Sequence, residues 1–142
     1  MPTTPSPATP LLLGFDPGRE KCGVALATRT GAVVYHQVVA AAAALEVVAD
    51  LSDRYPIAQI VLGNQTTSAQ WQAALQARFP AWPLALVDER NSSLEARDRY
   101  WQLYPPRGLR RLIPPGLRVP PRPVDDIVAI LLIERYLAAP EA

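Results

Sequence analysis

The chain has 142 residues, 49% of them hydrophobic, and a formal net charge of +1. That is enough mass for one domain with a real core, and too much apolar content for a disordered protein. A single cysteine, Cys22, excludes an internal disulfide framework and any CxxC metal or redox motif. No apolar run reaches the roughly 18 residues a membrane helix needs. The opening MPTTPSPATP lacks both the basic and the apolar regions of a signal peptide. The expectation is a cytoplasmic protein with no membrane segment: a disordered tail over residues 1–10, then one domain over residues 11–139. Among the 14 basic residues only Lys21 is a lysine. Arginine suits bidentate phosphate contacts, although a GC-rich genome also raises its share.

Leu11–Phe15 and Cys22–Ala27 are apolar runs flanking a polar turn marked by Pro17-Gly18, the pattern of a β-hairpin. Strand alternation puts Leu11, Leu13 and Phe15 on one face, and Leu12, Gly14 and Asp16 on the other. Gly14 leaves room for a backbone or a ligand to approach. Asp16 is the odd residue, because a carboxylate beside a buried strand costs several kcal/mol unless it is paired or binds a metal. The plain alternative is an Asp-Pro-Gly turn in which Asp16 caps its own loop.

Ala32–Val39 is a third strand, antiparallel to its neighbours through tight turns. Its His36, the only histidine, is expected at the surface of an edge strand and not in catalysis. Ala41–Arg54 predicts a helix with Leu45, Val48 and Leu51 inward, ended by Tyr55-Pro56. Ala58–Gly63 is a fourth, buried strand. Asn64-Gln65-Thr66-Thr67-Ser68 follows, with side chains suited to capping a helix that runs to about Phe79 and packs Trp71 and Leu75 inward. The fifth strand, Leu84–Val87, ends in Asp88-Glu89-Arg90, and Ser92-Ser93-Leu94-Glu95 reads as a capping box for the next helix.

Strands separated by helices imply parallel crossovers, so the expected fold is α/β, with a mixed five-stranded sheet of three antiparallel strands and then two parallel ones, flanked by helices. Ligands in such sheets sit beyond the carboxyl ends of the parallel strands, where the loops carrying Asp16, Asn64-Gln65 and Asp88-Glu89 converge. Residues 104–123 form a loop with seven prolines, five arginines and no acid. Loops of that length in a compact domain are functional or disordered. Leu109, Leu112, Ile113, Leu117 and Val119 suggest packing onto the body; a solvated linker is the alternative. The last helix opens at Val124-Asp125-Asp126 and is apolar all round over Ile127–Ile133, so it should be buried on most sides. One aspartate is enough for a cap there. Tyr100, Trp101 and Tyr104 fit core packing better than base stacking.

Gly14-Phe15-Asp16-Pro17-Gly18-Arg19 with Lys21 and Gly23, then Asp88-Glu89-Arg90-Asn91-Ser92-Ser93, then Val124-Asp125-Asp126, lie in order across nearly the whole chain after residue 10. In these pieces the chain resembles the bacterial YqgF family of Holliday-junction-resolvase-like, pre-ribosomal-RNA-processing nucleases, within the RNase H-like superfamily. It departs from the family pattern at Gly63-Asn64-Gln65, where Gly-x-Pro is common and a fourth carboxylate is absent, and in its paired aspartates. Counting from Ala129 favours Asp125 as the family's aspartate, whereas the related resolvase spacing favours Asp126.

The resemblance implies an RNase H-like nuclease, a metal-dependent phosphodiester hydrolase acting on structured nucleic acid, foremost in pre-16S ribosomal RNA 5′-end processing. Asp16, Glu89 and Asp125 or Asp126 would hold two Mg²⁺ or Mn²⁺ ions, which activate water and stabilise the leaving oxyanion. Arg19, Lys21, Arg90, Arg107, Arg110, Arg111, Arg118 and Arg122 would hold the nucleic-acid backbone of precursor ribosomal RNA or branched DNA. The alternatives are a Holliday-junction resolvase on branched DNA, and a catalytically silent nucleic-acid-binding protein of the same fold, as a monomer or homodimer. Asp-Pro-Gly is also similar to phosphate loops of the sugar-kinase/actin superfamily, but 142 residues cannot supply the two lobes that ATP needs.

Overall fold

The alternation of β1 (Leu11–Asp16) sets the layering of the molecule. In this computed structural model, which describes residues 9–65 and 67–139, Leu11, Leu13 and Phe15 face one layer of helices while Leu12 and Gly14 face the other. The predicted tail up to residue 8, and Thr66, lie outside the described residues. β1 turns at Pro17-Gly18 into β2 (Lys21–Thr28), and β2 pairs antiparallel with both β1 and β3 (Val33–Ala40). After α1 (Ala44–Arg54), β4 (Ile57–Gly63) joins parallel to β1. After α2 (Ser68–Arg78), β5 (Leu84–Val87) joins parallel to β4. The resulting order, β3-β2-β1-β4-β5, is the mixed sheet anticipated above and is consistent with an RNase H-like fold.

One face of the sheet packs Phe15, Val24, Ile60 and Leu62 under Val48 and Leu51 of α1 and Leu75 of α2. Over the other lie α3 (Ser92–Leu103) and α4 (Asp125–Ala138). Every residue of α4 from Asp126 to Ile133 is buried, because the helix is sandwiched between the sheet and α3. Gly14 makes this possible: a Cβ there would strike the Ala129 carbonyl of α4. No helix among the described residues is long and apolar enough to cross a membrane.

Three local expectations are corrected. The capping box does not form. Asn91 turns the chain with a left-handed φ of 61°, Ser92 falls inside the first turn, and Glu95 pairs with Arg135 at 3.0 Å. Among the described residues no side-chain cap forms at α2 either, where Thr67 is the N-cap residue. In the loop over residues 104–123, which contains the short 3-10 turns Gly108–Leu112 and Pro115–Leu117, the aliphatic residues do not pack onto the body: Leu109 is 81% and Leu112 80% exposed. The prolines keep this segment away from the core, and it leans partly on itself, with Arg118 donating to the Arg110 and Arg111 carbonyls.

Candidate active site

The end of β1, the loop after β5 and the first turn of α4 bring three carboxyl groups together. Asp16 is 5% exposed and Glu89 7% exposed. Asp125 is half-buried. Asp16 sits opposite Gly23 on β2, and a Cβ at Gly23 would run into the Asp125 carbonyl, so the missing side chain lets the helix start close against the sheet beside Asp16. Glu89 is brought in the same way from the other side. Its carboxyl group lies over Gly63, where a Cβ would collide with it, and its backbone N–H donates to Asn64 Oδ1 at 3.2 Å. The loops after β1, β4 and β5 thus converge as the parallel topology requires.

The turn between β1 and β2 is fastened separately. Trp71 packs its ring against Phe15 and donates Nε1–H to the Gly18 carbonyl at 3.1 Å. Cys22, buried and free, has its thiol 3.7 Å from the same oxygen, and burial pushes its pKa up to about 11. Among the described residues Asp16 Oδ1 has no hydrogen-bond partner, so that oxygen is not spent on capping its own turn.

Electrostatically this is a costly arrangement. Burial, then the hydrogen-bonding proximity and charge of Glu89, then Asp125, push the Asp16 carboxyl up to about 10. Glu89 is raised by burial, against the opposing influence of Asp16, the Gln65 backbone and Arg135. Asp125 is raised by burial and by the neighbouring Asp126 charge, with Lys21 and Asp16 opposing. Among the described residues, Asp16 Oδ1 and both Glu89 carboxyl oxygens are buried without a hydrogen-bond partner. Two carboxylate oxygens facing each other are both acceptors and satisfy neither; a shared proton or a cation would. Among the described residues no three His, Cys, Asp or Glu side chains already stand as a group spaced to hold a metal ion, and Asp16 meets Glu89 and Asp125 pairwise. The donor chemistry still fits a hard divalent cation, being all oxygen, anionic and carrying three unpaired buried atoms.

Asp126 goes elsewhere. It is 2% exposed, and its Oδ2 lies 2.6 Å from His36 Nδ1 while Arg122 donates to Oδ1 at 3.0 Å. The Ile127 N–H also donates to Oδ1. Of the two aspartates left open by the sequence, Asp125 is the one brought to Asp16. His36 does lie on an edge strand, but it is paired to a buried carboxylate instead of standing free at the surface.

The basic residues divide in the same way. Arg19 lines an open cleft of about 330 Å³ with Gly18, Gln65 and Thr67. Lys21 is exposed near Asp125. Arg90, Arg107, Arg110 and Arg111 are exposed, whereas Arg118 and Arg122 are half-buried in internal hydrogen bonds. Sequence reading did not assign Asn64 its part in holding Glu89, nor His36 and Arg122 theirs in holding Asp126. Asn64 carried a signal, a polar side chain at the carboxyl end of a parallel strand. His36, 90 positions from Asp126, carried none.

Fold and site together define an α/β protein with a buried carboxylate cluster at the carboxyl ends of its central strands. No family model matches the chain. It is 28% identical over 145 residues to a protein of Xanthomonas oryzae pv. oryzae (strain PXO99A) named "Putative pre-16S rRNA nuclease", covering 92% of this chain and 88% of that one. A protein of the same name from Xanthomonas campestris pv. campestris (strain B100) is 29% identical over 150 residues, with the same coverage. Among solved structures, a ROK family transcriptional regulator, a homologue of E. coli MLC protein, superposes with a TM-score of 0.46 at 10% identity, over 65% of this chain and 31% of that one.

Proposed function

We propose that the protein is a metal-dependent nuclease, a phosphodiester hydrolase acting on structured nucleic acid, and that its substrate is precursor 16S ribosomal RNA at the 5′ end. The observation that carries this reading is the trio of buried Asp16 and Glu89 with half-buried Asp125: three oxygens of the first two lack partners among the described residues, and all three carboxyl groups resist ionisation. Native proteins tolerate such crowding where function uses it. The similarity to proteins named as pre-16S rRNA nucleases, spread over 92% of the chain, supports the choice of substrate.

Asp16, Glu89 and Asp125 would hold Mg²⁺ or Mn²⁺, two ions in the fullest form of the reading. Bound there, the metal supplies an activated water and charge stabilisation for the leaving oxygen. The chain's own residues supply the frame. Asn64 and the bare backbone of Gly63 fix where Glu89 sits, Gly23 admits the Asp125 end of α4, and Trp71 fastens the turn after Asp16. Of the residues expected to hold the backbone, Arg19, Lys21, Arg107, Arg110 and Arg111 are left to follow phosphates, together with Arg90, whose guanidinium lies 4.0 Å from the exposed Asp88 carboxylate.

The test is cleavage by the purified protein of a panel containing precursor ribosomal RNA, unrelated RNA and four-way DNA junctions, with Mg²⁺, Mn²⁺ or EDTA. Cut precursor RNA that requires metal and Asp16 is expected. Selective cutting of junctions would favour a resolvase instead, and binding without cleavage of any substrate would favour a silent nucleic-acid-binding protein.

A further inference from the structure

A second cavity lies on the far side of the α4 N-terminus from the carboxylate trio. It encloses about 260 Å³ and is lined by His36, Val38, Tyr104, Arg122 and Asp126 among others. Its position follows from the sheet register. Asp16 of β1 is opposite Gly23 of β2, which is opposite Val38 of β3. Two strand spacings make roughly 10 Å, and the start of α4 lies over the glycine between. Asp125 therefore serves the β1 side and Asp126 the β3 side of one helix end.

The charges in this cavity are already matched. Asp126 accepts from Arg122 at 3.0 Å and 3.4 Å, and His36 Nδ1 lies 2.6 Å from it. Arg122 also donates to the Pro123 carbonyl at 2.7 Å, so its donors point inward. A free phosphate would find little uncompensated positive charge here. What remains is flat surface: the guanidinium of Arg122 lies 5.4 Å from the Tyr100 ring centroid and 5.8 Å from that of Tyr104. Tyr100 is buried and holds its ring 5.1 Å from that of Tyr104 at a tilt of 41°, whereas Tyr104 is 45% exposed. An aromatic ring braced by an immobilised guanidinium is the surface on which nucleobases stack. His36 Nε2 is the polar edge left over for a base's hydrogen-bonding groups.

We propose that this cavity seats one nucleobase of a single-stranded nucleic acid whose backbone passes the Asp16 trio, with Tyr104 as the stacking platform and Asp126 as the residue that positions Arg122 and His36. The inference rests on the nuclease reading for the course of the strand, but its test does not need cleavage.

End-labelled single-stranded RNA oligonucleotides, and DNA of the same sequence, are titrated in EDTA and followed by fluorescence anisotropy. Tyr104→Ala should weaken binding roughly 5- to 150-fold, the range that loss of one base–aromatic stack produces. Tyr104→Phe and Tyr104→Trp should restore it. In the wild type an abasic site at one position of the strand should cost a similar factor, and in Tyr104→Ala that same abasic site should cost nothing further. The better-bound of the two strands identifies the ligand, and the Tyr104 loss is expected with that strand. Equal binding by wild type and Tyr104→Ala, or abasic losses that are the same in both proteins, would overturn the pocket. A pocket that binds in a protein that never cleaves would leave this inference standing while the nuclease reading fails; cleavage that ignores Tyr104 and every abasic site would do the reverse.

Discussion

Asp125 and Asp126 are neighbours in the chain, share the first turn of α4, and live in opposite environments. Asp126 is the more deeply buried, yet it is satisfied: a histidine from the edge strand, an arginine from the proline-rich loop and a backbone amide all converge on it. Asp125 faces Asp16 and, through it, Glu89, and three buried oxygens of those two have no partner among the described residues. Burial alone therefore does not mark a functional carboxylate. A paired buried charge ties elements together, here β3 and the loop to α4. An unpaired cluster of like charges raises the free energy of the folded protein and calls for a ligand that offsets it.

The sharpest break in this contrast is Asp16→Asn. If the trio awaits a cation, the change should lower cleavage by more than the roughly 10- to 100-fold that losing an outer-shell partner costs. It should leave the metal-free melting temperature unchanged or higher, because an amide is neutral without the proton that folding otherwise forces onto the buried Asp16 carboxyl. Mn²⁺ should raise the melting temperature of the wild type more than that of the variant. Paired melting curves beside a nuclease assay decide it: a variant that melts lower without metal and still cleaves would make Asp16 a turn residue.

Asp126 should answer in the other currency, stability. Breaking a fully buried ion pair costs about 3–5 kcal/mol. His36 and Arg122 keep some access to water, so about 2 kcal/mol is expected for Asp126→Ala and less for Asp126→Asn, measured by urea denaturation. Loss of cleavage in Asp126→Asn at unchanged stability would erase the distinction between the two aspartates.

A third test uses pH. Because folding raises the Asp16 carboxyl from 3.8 to about 10, and Glu89 and Asp125 in the same direction, the folded protein holds more protons than the unfolded chain between those values. Stability from these groups is fully present below the unfolded pKa and is lost as pH rises toward the folded one. The metal-free melting temperature should thus fall from about pH 5 to pH 9, opposite to the trend that salt-bridged carboxylates give, and Asp16→Asn should flatten the decline. A flat or rising profile in the wild type would remove the crowding.

The smallest effects belong to the arginines. Arg107→Ala, Arg110→Ala or Arg111→Ala should each reduce the slope of log K against log salt by up to about 0.9, with no loss of stability. Arg118→Ala and Arg122→Ala should act mainly on stability, since their donors already serve the Arg110, Arg111 and Pro123 carbonyls and Asp126. Five equal slopes would erase the division.

Local pattern carried a large part of this architecture. Alternation along Leu11–Asp16 gave both faces of β1, the apolar run of α4 announced its burial, and Leu84–Val87 was legible to the residue. The strand–helix order implied the mixed sheet, and with it the convergence of Asp16, Asn64 and Glu89, because a parallel crossover leaves little freedom in where its loops end. The capping box at Ser92 was legible and did not form, since Asn91 redirects the chain and Glu95 finds Arg135 on another helix.

What the tertiary structure alone decided is the fate of the two aspartates. Successive residues on a helix point about 100° apart, so the roll of α4 on the sheet determines which one meets Asp16. That roll is set where Ala129 closes on Gly14 and Asp125 on Gly23. The partners of the other aspartate come from 90 residues upstream and from a loop whose prolines obscure any local signal. Composition and periodicity report how a segment presents itself to a core. They do not report which distant side chain will be waiting there, because that pairing exists only once the layers have docked.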